Sequence, residues 1–160
     1  MTVLLTEKAK IIKVGGYQSH DTGKSSTYVQ LSAGQQATFI IKCGTIAQTM
    51  TFLAYQSTTS TGGSAIPTAN GALYQKASTG VIDLSELDTA PVALPVAGIT
   101  MTASTDNYKI LVITVKSANL SAGYKWVGIV STATSGNNYA DITAVVSDER
   151  FGQQIPPSVQ

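Results

Sequence analysis

Cysteine occurs once, at Cys43, so no disulfide can form within the chain and the fold must hold without covalent staples, which is compatible with folding in a reducing compartment. Histidine also occurs once, at His20. A histidine-based zinc site would need Cys43 and carboxylates that show no ligand spacing, and no Cys-x-x-Cys, His-x-x-x-His or Asp-x-Asp-x-Asp-Gly string exists. No cofactor or metal is expected. Charge is scarce, 12% of residues, and balanced, with ten Lys and Arg against nine Asp and Glu. Phosphate neutralisation needs a basic excess or cluster, and the basic residues here are scattered, so nucleic acid is not an expected partner. No apolar run approaches the ~20 residues of a membrane span. The opening MTVLLTEKAKIIKV lacks a basic leader, a long apolar core and a small-residue cleavage site, so a soluble chain with no membrane partner is expected.

What is present is a hydrophobic fraction of 43% over 160 residues, enough for one domain with a real core. With so little charge, the surface must be largely Thr, Ser, Asn, Gln and Gly. Such a surface suits a protein packed against neighbours. Period-two alternation of β-branched and aromatic residues dominates, in STYVQLS, QATFIIKC, TMTFLAYQS, YKILVITVKS, YKWVGIVST and YADITAVVS. In KILVITVK, Leu111, Ile113 and Val115 share an apolar face that predicts the core side. Turn-rich runs separate these segments. The pattern predicts an all-β fold, an antiparallel β-sandwich of roughly seven to nine strands with extended N- and C-terminal arms. Helix is expected at most as one turn in DLSELD, from Asp83 to Asp88, closed by Pro91 and Pro95.

Three regions follow. Residues 1–16 read as an N-terminal strand or arm, 17–148 as the sandwich, and 149–160 as a C-terminal arm. Within the sandwich, the Ser/Thr/Gly-rich stretch near 56–80 reads as a long loop or protruding hairpin. The C-terminal DERFGQQIPPSVQ carries Phe151 and Ile155 and then Pro156-Pro157, which cannot donate to a sheet. The apolar residues outside the clean strand pattern are the candidate interface: Val3, Leu4, Leu5, Ile11 and Ile12 at one end, and Phe151, Ile155, Pro156 and Pro157 at the other.

No catalytic constellation emerges, and an enzyme is not expected. Gly23-Lys24-Ser25 resembles the end of a phosphate-binding loop, but the first glycine of that motif would fall at Gln18. Lys24 leads into SSTYVQL, a strand pattern with no helix N-terminus to hold an anion. His20 and Asp21 are adjacent in HDTG, and His20 reads as a solvent-facing loop residue. Cys43, at the end of TFIIKC, reads as a buried and inert thiol. Tyr108, Tyr124 and Tyr139 each begin a predicted strand, and Trp126 shares a face with Tyr124. Aromatics so placed seal a sandwich rim or, as a second reading, form a platform for a carbohydrate.

The last third, SAGYKWVGIVSTATSGNNYADITAVVSDERFGQQIPP, resembles small structural proteins of tailed bacteriophages. The likeness rests on Tyr124, Val127 and Ile129, on Ala144 to Val146, and on Arg150 and Pro156; LSAGQQATFIIKCGT is similar to the family's early stretch. The resemblance implies a virion component on the capsid exterior, made in the host cytoplasm: a cement or decoration protein that binds the major capsid protein and copies of itself. Alternatives are a tail, neck or fibre-base component, or a carbohydrate-binding module that meets a host-surface glycan through exposed loops.

Overall fold

The computed structural model describes residues 9–20, 23–77, 90–133 and 136–148. In chain order the strands are β1 (Ala9–Ser19), β2 (Lys24–Ser25), β3 (Val29–Gln30), β4 (Gln35–Ile46), β5 (Met50–Ser57), β6 (Ser64–Ala65), β7 (Leu73–Lys76), β8 (Val92–Ala93), β9 (Ile99–Met101), β10 (Ile110–Lys116), β11 (Trp126–Ala133) and β12 (Asn138–Asp148). They form two antiparallel sheets. The first has the order β1-β12-β4-β10-β7-β8. The second has the order β2-β11-β5-β6, with β3 also on β11 and β9 also on β5. The protein is therefore an all-β sandwich, as the alternation predicts. Seven strands have four or more residues, and the other five are pieces of two or three residues that the pattern does not resolve.

Alternation explains the core. Leu111, Ile113 and Val115 of β10 are fully buried, beside Phe39 and Ile41 of β4 and Ile142 and Ala144 of β12. Phe52, Val127 and Ile129 face them from the second sheet, and Met50, Met101 and Ile66 belong to the same cluster. Fully burying one such side chain stabilises the fold by roughly 1.5–3 kcal/mol.

Three expectations change. The stretch near 56–80 is not one loop. Residues 56 and 57 end β5, β6 returns beside β5, and β7 crosses to the first sheet, where it pairs with β10. Its few apolar residues suffice as anchors, because Ile66, Ala72 and Ala77 are buried. Residues 78–80 lie outside the described residues, as does the turn expected at Asp83 to Asp88. Second, Ile11 and Ile12 do not stand outside the strand pattern. They pair with Val145 and Ala144 in the ladder between β1 and β12, and the double glycine that masks the pattern is absorbed by register shifts between Lys13 and Gly15 and between Gly15 and Gln18. Third, His20 is not solvent-facing. It is buried, its Nδ1 lies 2.6 Å from Ser131 Oγ, and its ring meets Phe52 edge-on. The His20 N–H donates to the Asn138 carbonyl at 2.7 Å, which ties the residue to the start of β12.

Candidate functional site

Asp106 organises one end of the sandwich. Its side chain is 2% exposed. One carboxylate oxygen accepts from Lys76 Nζ at 2.5 Å and from the Thr102 N–H at 2.7 Å; the other meets Lys109 Nζ at 3.0 Å. The cluster ties β7 of the first sheet to the end of β9 in the second. Burial pushes the Asp106 carboxyl up, but the hydrogen bonds from Lys76, Thr102 and Lys109 outweigh it and hold the group below the usual carboxylate range. Cys43, nearby, is pushed up to about 12 by burial and then by the Asp106 charge, with Lys76 acting the other way. Its thiol is protonated and inert at neutral pH.

The clamp fixes the turn from Thr102 to Lys109. Asn107 Oδ1 accepts from the Ile46 N–H at 2.7 Å, and the Tyr108 N–H donates to the Gly44 carbonyl at 3.1 Å. Ser104 and Tyr108 are thereby held at φ of 62° and 61°, values that side-chain-bearing residues seldom adopt. The result is an outward-pointing Tyr108, half exposed, with its hydroxyl 3.3 Å from Thr45 Oγ1.

Two more tyrosines stand at this corner. Tyr17 of β1, 63% exposed, stacks on Tyr139 of β12 with ring centroids 5.3 Å apart and planes 13° from parallel. Both lie over Gly44 of β4, where a Cβ would sit 2.6 Å from the Tyr17 hydroxyl and 3.2 Å from Tyr139 Cβ. A side chain at this position would press on the stack and displace the Tyr17 hydroxyl. From this corner the outer face of the first sheet extends across the strands in rungs. One rung is Ile11, Val145, Thr38, Thr114 and Leu73; the next is Lys13, Thr143, Ile40, Val112 and Gln75. Thr38 and Thr114 touch through their hydroxyls at 3.4 Å. The charges on these and the two adjoining rungs are Lys13, Asp141, Lys42 and Lys116, and the Lys13–Asp141 pair is loose at 4.0 Å, with the Lys13 side chain largely exposed. The face is mixed apolar and hydroxyl and low in charge, and Val112 within it is buried.

A second feature opens where the edges of the two sheets separate. A groove of about 820 Å³ runs between the start of β1 and β3, lined by residues that include Ile12, Tyr28, Val29, Gln35, Trp126 and Val146. Ala9 and Asp148, the first and last residues of the ladder-forming chain, are both on its wall. Further along β1 the seam is shut, because the Thr27 N–H donates to the Val14 carbonyl at 2.8 Å.

Of the interface residues expected from sequence, Ile11 lies exposed on the outer face and Ile12 lines the groove. Val3, Leu4, Leu5, Phe151, Ile155, Pro156 and Pro157 lie outside the described residues. The Gly23-Lys24-Ser25 string forms the start of an edge strand. Its Lys24 N–H is taken by Ser131 Oγ at 3.0 Å, and Gly23 at φ +71° lies against the Ser131 carbonyl. Trp126 stands on the groove with Tyr28, while Tyr124 is half-buried ahead of β11. The sequence singles out Tyr108 and Tyr139 as rim or platform aromatics, but it does not group them with Tyr17. The signal for the grouping is Gly44, a glycine inside an alternating strand, which marks a close approach. Among the described residues, no three His, Cys, Asp or Glu side chains gather as metal ligands.

The fold thus defines an antiparallel two-sheet β-sandwich that presents a low-charge sheet face with an aromatic corner. No family model matches the chain, and neither the curated proteins nor the solved structures contain a significant match.

Proposed function

We propose that the chain is a virion structural protein of a tailed phage, a cement or decoration protein that lays the outer face of its first sheet on the capsid. The observation that carries this reading is the tyrosine corner. A buried ion cluster is used to hold a turn whose exposed product is Tyr108, beside the stacked Tyr17 and Tyr139. Exposed tyrosines on a face low in charge are the composition of an interface hot spot. The resemblance of the C-terminal third to phage structural proteins supplies the partner: the major capsid protein, with further copies of the chain as neighbours. Modest affinity at one site becomes stable attachment when repeated around a symmetric shell.

Co-sedimentation with capsids that lack the protein tests the reading. The double variant Tyr17→Ser/Tyr108→Ser is expected to keep the circular dichroism spectrum of the parent and to lose binding by roughly 30-fold or more, since one hot-spot side chain contributes about 2 kcal/mol. Full co-sedimentation of the folded variant overturns the proposal.

A further inference from the structure

We propose that the groove between β1 and β3 is the docking site of the chain's own C-terminal segment, residues 151–155, which adds to the free edge of β1 as a short strand.

Along β1, every second residue turns its N–H and C=O away from β12. Thr27 occupies that edge at Val14, and among the described residues nothing pairs with it from Ala9 to Lys13. The open edge is five residues long, about 16 Å of strand. The sequence beyond β12 offers a matching length. Phe-Gly-Gln-Gln-Ile, residues 151–155, is five residues and is followed by Pro156-Pro157, which cannot extend a ladder. In an extended conformation Phe151, Gln153 and Ile155 share one face, so both apolar side chains turn to the same side. That side meets Ile12, Val29 and Val146 in the groove.

Reach favours docking within one molecule. Asp148 is on the groove wall, and the segment must pass over the start of β1, two strand spacings or about 10 Å. Glu149 and Arg150, with the bond into Phe151, span about that distance when extended. So short a connection raises the effective concentration to the millimolar range, above that of a second molecule in dilute solution. The N-terminal residues fit less well. To return along β1 they must reverse through Thr6-Glu7-Lys8, which contains none of the Gly, Asn or Pro that such turns favour, and Val3-Leu4-Leu5 does not alternate. Docking keeps the apolar segment covered until a partner competes for it. This inference stands apart from the capsid reading, and its test uses the free protein.

Trp126, the only tryptophan, lines the groove and reports on it. In the full-length chain, Phe151→Ser/Ile155→Ser is expected to shift Trp126 emission to the red. Its acrylamide quenching constant should rise about twofold or more as the indole loses its apolar cover. The variant should keep the parent's sedimentation coefficient. Hydrogen exchange gives a second readout: edge amides between Ala9 and Lys13 exchange slowly in the parent and fast in the variant. Unchanged quenching and exchange overturn the proposal. So does a parent whose edge protection depends on protein concentration, which would assign the groove to a second copy. The same holds if Leu4→Ser/Leu5→Ser moves Trp126 and the C-terminal variant does not. A host-surface glycan that quenches Trp126 equally in parent and C-terminal variant overturns it as well.

Discussion

Replacing Asp106 with Asn keeps the shape of the side chain and removes its charge, leaving Lys76 and Lys109 without their counter-charge. Breaking a buried pair from one side costs about 3–5 kcal/mol; the partial exposure of Lys76 places this case near the lower end of that range. Urea unfolding of Asp106→Asn is expected to show that loss. The parent should show the matching acid dependence. A carboxyl held below its unfolded value contributes stability that is complete above about pH 4 and is lost as pH falls through the folded value. Urea midpoints measured from pH 6 downward should fall in the parent and fall less in the variant. None of this is legible in the sequence, where Asp106 reads as part of the polar turn STDN. Its partner Lys76 lies 30 residues away and is brought close only by the pairing of β7 with β10. His20 was misread for the same reason: Ser131, its partner, is 111 residues distant. Cys43 was read correctly because its own segment, TFIIKC, carries the apolar alternation that buries it.

Strands long enough to repeat their pattern were legible. In β10 the face with Leu111, Ile113 and Val115 is the core face, and β12 alternates in the same way from Asn138 to Val146. The short strands were not. β6 has two residues and β8 two, and their place is set by the neighbours that offer a ladder edge rather than by their own side chains. The hairpin between β5 and β6 depends on a backbone position of this kind. Gly63 is at φ +113°, and a Cβ there would lie 2.2 Å from the Gln56 carbonyl oxygen. Gly63→Ala is therefore expected to cost about 2 kcal/mol or more, through strain and displacement of backbone rather than of a flexible side chain. A thermal melt checks this; an unchanged midpoint would mean that the hairpin opens without cost. Gly62, one residue earlier and with open space around it, provides the comparison: Gly62→Ala carries only the strain of its φ of +75°.

At the scale of the molecule, β1 and β12, the first and last strands among the described residues, are neighbours: Ala9 pairs with Ser147, and the ladder between them runs to Ser19 and Tyr139. Joining the ends with a flexible linker and opening the chain in the turn between Ser57 and Ser64 should therefore give a circular permutant that folds with the parent's circular dichroism spectrum. If β1 and β12 need a native chain end beside them, that permutant will be insoluble. The sandwich class was visible in the alternation of the sequence, but this adjacency was not, because nothing in a strand's own residues names its partner.

The place of β12 also bears on synthesis. It lies between β1 and β4, so the first sheet has a gap in its interior until β12 has left the ribosome. While residues 47–137 are being made, β1 and β4 wait with open edges for a strand that does not yet exist. A nascent chain of this kind is exposed to pairing with its neighbours on the same messenger. The scarcity of charge, which favours close packing once folded, gives little protection in that interval. Yield in the cell should then respond more to the rate of elongation and to chaperones than the stability of the finished sandwich would suggest.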